Sequence, residues 1–210
     1  MTQTKIFLTV LLLLISTKAN ADYYVAYQAG KSSIDIESEL WDDFSKVVTS
    51  NRFLAGYRLN QFWSIELSYF YTPKFKEKWT ASVVDVEDAF AQELGDDDQF
   101  VRAEGQLQIE NKAISIVGTA PVGGNLFLFA KLGVSQWQAS GKIEPLSSIG
   151  FNTNESEHGT AYPAALGMEY RYDQLTTFYL AADYFDVDAD IVVADKVKLA
   201  TLSLGIKLTL

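Results

Sequence analysis

The sequence predicts an all-β fold, an eight-stranded antiparallel transmembrane β-barrel with long extracellular loops and short periplasmic turns. Three observations point to it. The N-terminal segment is apolar and ends in small residues. The rest of the chain alternates with a period of two. The connections between the alternating stretches switch strictly between short and long.

Residues 1–21 read as a signal peptide that is cleaved. Lys5 supplies the basic start, Ile6 to Ile15 is apolar apart from Thr9, and Ala19-Asn20-Ala21 has the small-x-small form of a cleavage site. A spanning helix needs roughly 20 apolar residues, more than this run offers. No Cys is present, so a lipoprotein signal is excluded. Residues 22–210 then form one domain, the barrel, with no linker dividing them.

Composition removes several functional classes. The 27 acids outnumber the 17 Lys and Arg, giving a formal charge of −10, the wrong sign for a nucleic-acid binder. The lack of Cys excludes disulfide scaffolds, thiolate zinc sites and Cys nucleophiles. His158 is the only His, which leaves no His-rich metal cluster, and no cofactor is expected.

Eight strands are expected near 22–32, 50–59, 62–73, 109–120, 126–139, 158–171, 175–185 and 196–210. In the third, Trp63, Ile65, Leu67, Tyr69 and Tyr71 share one face, against Ser64, Glu66, Ser68 and Phe70. In the sixth, Tyr162, Ala164, Leu166, Met168 and Tyr170 oppose Pro163, Ala165, Gly167 and Glu169. In the last, Leu202, Leu204, Ile206, Leu208 and Leu210 oppose Thr201, Ser203, Gly205, Lys207 and Thr209. A soluble sandwich also alternates. Here, however, the apolar faces tend to carry Tyr or Trp at their ends and aliphatics or Ala between, the pattern of a lipid-facing strand between two aromatic belts. Tyr23, Tyr57, Trp63, Tyr69, Tyr71, Tyr162 and Tyr170 are the expected interface aromatics. The connections at 60–61, 121–125 and 172–174 are short, whereas 33–49, 74–108, 140–157 and 186–195 are long. Both termini then fall on the periplasmic side of an outer membrane of a Gram-negative bacterium.

The chain resembles the eight-stranded transmembrane domain of the outer membrane protein A (OmpA) family. The resemblance is carried by Asp22 to Ser32, by Gly56-Tyr-Arg-Leu-Asn60 with Ile65-Glu-Leu-Ser-Tyr69, and by Ala120-Pro-Val122 with Phe129-Ala-Lys-Leu-Gly133 and Trp137. Ala165 to Tyr170, Ala182-Asp-Tyr184 and Leu202 to Ile206 complete it. The family's periplasmic peptidoglycan-binding domain has no counterpart here, and the chain ends in Leu210 where the family usually has an aromatic. The resemblance implies lipid, lipopolysaccharide and the barrel-assembly machinery as partners.

Glu66, Lys131, Glu169 and Asp183 fall on interior faces, and Arg58 points inward near the periplasmic end. A base on the lipid side would cost about 2–4 kcal/mol at the midplane, so the interior is the favoured side. Such charges should pair there, and the resemblance implies a salt-bridge network that closes the lumen. Phe70, Phe127, Phe129, Trp137 and Tyr179 are expected to face inward beside them. The alternative is a gated, low-conductance ion path.

An enzyme is not expected. Some outer-membrane barrels modify lipid A, but alternation sets Glu157 on the face opposite His158, so neither orients the other. Asp186, Asp188 and Asp190 begin like a calcium loop, yet Ile191 and Val197 stand where Gly and the bidentate Glu are needed, so no metal is expected. Residues 74–108 are rich in acids, and Val86, Phe90 and Leu94 recur at helical spacing, suggesting a short amphipathic helix. The expected role is structural or surface contact by a monomer, through envelope integrity, adhesion or ligand display. Loops 33–49 and 74–108 would meet a host or surface ligand, and no nucleic acid is involved.

Overall fold

A computed structural model describes residues 23–37, 44–82, 100–145, 153–191 and 194–210. The signal segment, the helical spacing of Val86, Phe90 and Leu94, and Asp96-Asp97-Asp98 lie outside the described residues. The strands are β1 (Tyr23–Glu37), β2 (Phe44–Arg58), β3 (Trp63–Tyr71), β4 (Phe75–Ser82), β5 (Phe100–Gly123), β6 (Leu126–Pro145), β7 (Thr153–Ala161), β8 (Ala164–Arg171), β9 (Thr176–Ile191) and β10 (Ala194–Thr209).

All pairings are antiparallel, and they close on themselves. The ladder runs β3, β2, β1, β10, β9, β8, β6, and β5 pairs with both β3 and β6. Ten strands therefore make a ring of eight staves, because β4 prolongs β3 and β7 precedes β8 on the same path. The two interruptions have one cause. Pro73 and Pro163 have no N–H to give to a ladder. At the first, the Thr72 hydroxyl accepts the Ile109 N–H at 3.0 Å in place of a backbone partner. At the second, Gly133 N–H reaches the Pro163 carbonyl at 3.0 Å.

Polarity is inverted relative to a water-soluble protein. Along β10, Leu202 and Leu204 are 60% and 68% exposed, whereas Ser203 and Lys207 are 3% and 5% exposed. Leu67, Ile116, Leu132, Leu166 and Leu128 stand outward in the same way. Such a surface belongs in lipid, and the soluble-sandwich alternative is set aside.

The short connections are built by side chains that hold backbone N–H groups. Asn60 Oδ1 accepts from Phe62 and Trp63 at 2.8 and 3.0 Å. Asp173 Oδ1 accepts from Leu175 and Thr176 at 2.8 and 2.6 Å. In the third, Gly124 sits at φ 56°, the left-handed region that glycine enters without penalty.

The strands run further than the alternation suggested, mostly at the long-loop end, while at the turn end β5 continues into the expected connection 121–125 as far as Gly123. β1 continues to Glu37, β2 begins at Phe44, β6 reaches Pro145 and β9 reaches Ile191. The expected loop 74–108 is a hairpin at both of its ends, with Phe75–Ser82 paired to Phe100–Leu107. The expected sixth strand is broken at Tyr162-Pro163. Beyond the lipid, the outer face meets water and accepts charge, so the apolar face ends before the backbone ladder does.

Candidate functional site

Among the described residues, the lumen is where the fold gathers buried charges. From the turn end upward, β1 points Tyr24, Ala26, Gln28, Ser32, Ile34 and Ile36 inward. These side chains mark a sequence of layers.

The lowest layer surrounds Glu66 on β3. Lys131 Nζ on β6 donates to Glu66 Oε2 at 2.9 Å. Tyr24 OH donates to Glu66 Oε1 at 2.8 Å and lies 3.0 Å from Ser64 Oγ. Lys207 on β10 pairs with Glu169 on β8 and stands 3.9 Å from Glu66. The Lys207 ammonium also sits 4.5 Å from the Tyr24 ring centre. Such charge-assisted contacts are the strong ones, and in a buried site they offset part of the lost hydration.

A second cluster lies beside the first. Arg52 on β2 pairs with Asp183 on β9. Gln28 Nε2 donates to Ser203 Oγ at 3.0 Å and to Asp183 at 3.4 Å, and Gln28 Oε1 accepts from Tyr179 OH at 3.0 Å. The Arg52 guanidinium packs 5.3 Å from the Phe70 ring centre. Across both clusters Glu66, Glu169 and Asp183 face Lys131, Lys207 and Arg52, so the paired charges cancel.

Above the charges come hydroxyls. Ser32 Oγ is 2.7 Å from Ser50 Oγ and 2.6 Å from Thr201 Oγ1. Above the hydroxyls the lumen is apolar. Ile34, Leu107, Ile109, Phe185, Val187 and Leu199 are all buried there, with Phe70 and Phe185 in edge-to-face contact at 5.5 Å.

The narrow interior is filled by a recurring pairing. Tyr24 lies directly across its ladder from Gly56, and Tyr179 from Gly205. A methyl group on Gly56 would fall 2.2 Å from the Tyr24 ring, and one on Gly205 2.4 Å from the Tyr179 ring. The missing side chain lets each ring lie across the neighbouring strand. Phe129 and Trp137 meet Gly167 and Gly159 in the same register.

The structure brings together Glu66, Lys131 and Glu169, with Asp183 in the adjoining cluster. Arg58 does not join them. It lines a small turn-end space with Glu169, Arg171 and Lys207. Phe127 faces that end, with the Arg171 guanidinium 3.6 Å over its ring. Sequence reasoning missed Arg52, Lys207, Tyr24 and Gln28. Lys207 was legible, since it shares a phase with Ser203; Arg52 sits in a strand whose alternation is poor. Of the interface aromatics, Trp63, Tyr162 and Tyr170 stand exposed on the outer wall, Tyr23 packs on Tyr57 at 4.9 Å, and Tyr69 on Tyr71 at 5.9 Å. His158 is exposed on the outer face, opposite Gln138 of β6. Among the described residues no group of acids and His could hold a metal.

A closed ring with an apolar outside and a polar, paired inside defines an outer-membrane β-barrel. The sequence profile of the OmpA-like transmembrane domain matches residues 18–209, and the chain belongs to that family. Solved structures agree on the fold. Neisserial surface protein A has a TM-score of 0.61 at 13% identity, covering 91% of this chain and 100% of that one. Ail, the attachment invasion locus protein of Yersinia pestis, in complex with the heparin analogue sucrose octasulfate, gives 0.55 at 16%, covering 91% and 100%. OprG from Pseudomonas aeruginosa gives 0.53 at 16%, covering 90% and 96%. A search of curated proteins finds no match.

Proposed function

We propose that the protein is a closed barrel with a structural and surface-contact role, monomeric, with its termini in the periplasm and its long connections outside. One observation carries this reading: the lumen is filled along its length, by paired charges, then hydroxyls, then an apolar plug. The interior space beside Arg52, Asn111 and Lys131 measures ≈ 10 Å³, about one water. No catalytic role is proposed, because His158 lies on the outer wall and Glu157 points the other way.

The outward segments are the contact elements. Residues 83–99 contain Asp85, Glu87, Asp88, Glu93, Asp96, Asp97 and Asp98 and no base. That charge favours a cationic surface and disfavours a sulfated one, so the heparin-analogue contact of Ail is not carried over. The test has two arms. In planar bilayers the purified barrel should show no steady conductance; regular channel steps would replace this reading with the low-conductance channel. Removing 83–99 should abolish cell adhesion to a cationic surface while the heat-dependent gel shift of the barrel persists. Unchanged adhesion would remove the loop from the function.

A further inference from the structure

The outer wall changes character over β5, β6 and β7. Leu67, Ile114 and Val134 form one outward row across β3, β5 and β6, and all three are exposed. One step toward the long-loop end, Lys112, Gln136 and Thr160 form the next row. Glu110, Gln138 and His158 form the row above that. Two concavities meet at this boundary and share Lys112 and Gln136. The lower one, a shallow groove of ≈ 490 Å³, is lined by Leu67, Ile114, Val134 and Thr160. The upper one, ≈ 170 Å³, is lined by Glu110, Gln138 and His158.

The polar groups at this boundary are not equivalent. Glu110 is already engaged, accepting from Tyr69 OH at 2.8 Å and from Gln108 Nε2 at 3.2 Å. Lys112 forms no ion pair among the described residues. Other outward lysines have neighbours of their own: Lys76 pairs with Glu104, Lys196 and Lys198 stand across from Asp188 and Asp186 in the ladder, and Lys31 donates to the Thr49 hydroxyl at 3.0 Å. An ammonium in no ion pair thus sits where the lipid-facing wall ends, with two amides, an imidazole and the already engaged Glu110 carboxylate beside it. In a bilayer an apolar wall gives way to polar rows at the level of the lipid phosphates, and a lysine there can lay its stem along the apolar wall and hold its ammonium at that level.

We infer that this slot holds one phosphorylated lipid of the outer leaflet, lipid A. A chain lies in the lower groove, and a phosphate is bound by Lys112 with N–H groups of Gln136, Gln138 and His158. Charge complementarity and continuity with the lipid-facing belt select a lipid. The choice of lipid A over a glycerophospholipid rests on the outward orientation of the long-loop end proposed above.

The test uses the refolded barrel in phosphatidylcholine nanodiscs doped with bisphosphorylated lipid A, dephosphorylated lipid A or phosphatidylglycerol. Retained lipid is counted by native mass spectrometry. Bisphosphorylated lipid A should be retained about tenfold better than either alternative, a difference of one decade in affinity. Lys112→Gln with His158→Gln should remove that preference, and Ile114→Trp, which fills the groove, should weaken it. Lys31→Gln, an outward lysine on β1, should leave it intact. The heat-dependent gel shift verifies folding of each variant. Equal retention of dephosphorylated lipid A or of phosphatidylglycerol overturns the assignment, as does an unchanged preference in the double variant. Nanodiscs present both leaflets alike, so a negative result bears on the slot and not on the orientation or on adhesion.

Discussion

Lys131 donates to Glu66 at 2.9 Å across the width of strand β5, whose Ser115 and Val117 face inward beside the pair. The same carboxylate has a second cation, Lys207, at 3.9 Å, and Lys207 in turn pairs with Glu169. One lysine thus serves one acid, and the other serves two.

This asymmetry orders the lysine variants. Removing one partner of a buried pair costs about 3–5 kcal/mol, because the other charge is left desolvated. Lys131→Ala leaves Glu66 its second cation and should fall at the lower end. Lys207→Ala strips Glu169 of its partner and weakens Glu66 too, and should fall at the upper end. Adding Glu66→Gln to Lys131→Ala should recover part of the loss, since Gln still accepts from Tyr24. The temperature at which the folded band disappears on a gel ranks them. Equal losses for the two lysines would contradict the shared role of Lys207.

The glycine pairing predicts an effect without any change of charge. Gly56→Ala puts a methyl group 2.2 Å from the Tyr24 ring. The ring is held by hydrogen bonds to Ser64 and Glu66, so it cannot move freely. Overpacking of this kind costs about 1–3 kcal/mol. With Tyr24→Ala in the background, Gly56→Ala should become nearly neutral. A loss of the same size in both backgrounds, read from the melting of the folded band, would place the clash elsewhere.

The apolar plug makes a distinct prediction about conductance. If only the ion pairs closed the lumen, Lys131→Ala would open it. Ile109 and Leu199 are both fully buried above the charged layer. The double change Ile109→Ala with Leu199→Ala should therefore raise conductance in planar bilayers more than Lys131→Ala does. Each truncation carries a stability cost of about 2–5 kcal/mol, so the recording is made well below the unfolding temperature. A larger current through Lys131→Ala would show the charged layer to be the barrier.

The barrel was legible because lipid leaves one face no alternative to apolar side chains. In β3, β8 and β10, alternation alone separates Glu66, Glu169 and Ser203 from Leu67, Met168 and Leu204. It failed where water relaxes that demand. Above the membrane, outward Asp35 and Asp186 break the pattern while the ladder continues past them. In β2 the inward Leu54 and the outward Asn51 hide the phase that would have revealed Arg52. The plug was missed for the same reason: its residues share strands with the polar lumen, and only the register shows Ile34, Leu199 and Phe185 side by side. Proline position, not alternation, marks where β3 and β8 break from their extensions.

The last prediction concerns the turn before β9. The N–H groups of Leu175 and Thr176 hold the Asp173 carboxyl below its ordinary value, since they stabilise the charged form. A carboxyl with a lowered value in the folded state stabilises it at pH above the unfolded value, here 3.8. That contribution declines as the pH falls through the lowered, folded value. Asp173→Ala should therefore lower the melting temperature of the folded band at neutral pH, and the gap to the unmodified protein should narrow below pH 3.8. Asp173→Asn keeps an acceptor for both N–H groups but lacks the charge, so its gap should be smaller at neutral pH, and it too should narrow in acid because the carboxyl that titrates belongs to the unmodified protein. A gap for Asp173→Ala that stays constant into the acid range would mean that shape, and not the charged acceptor, holds the turn.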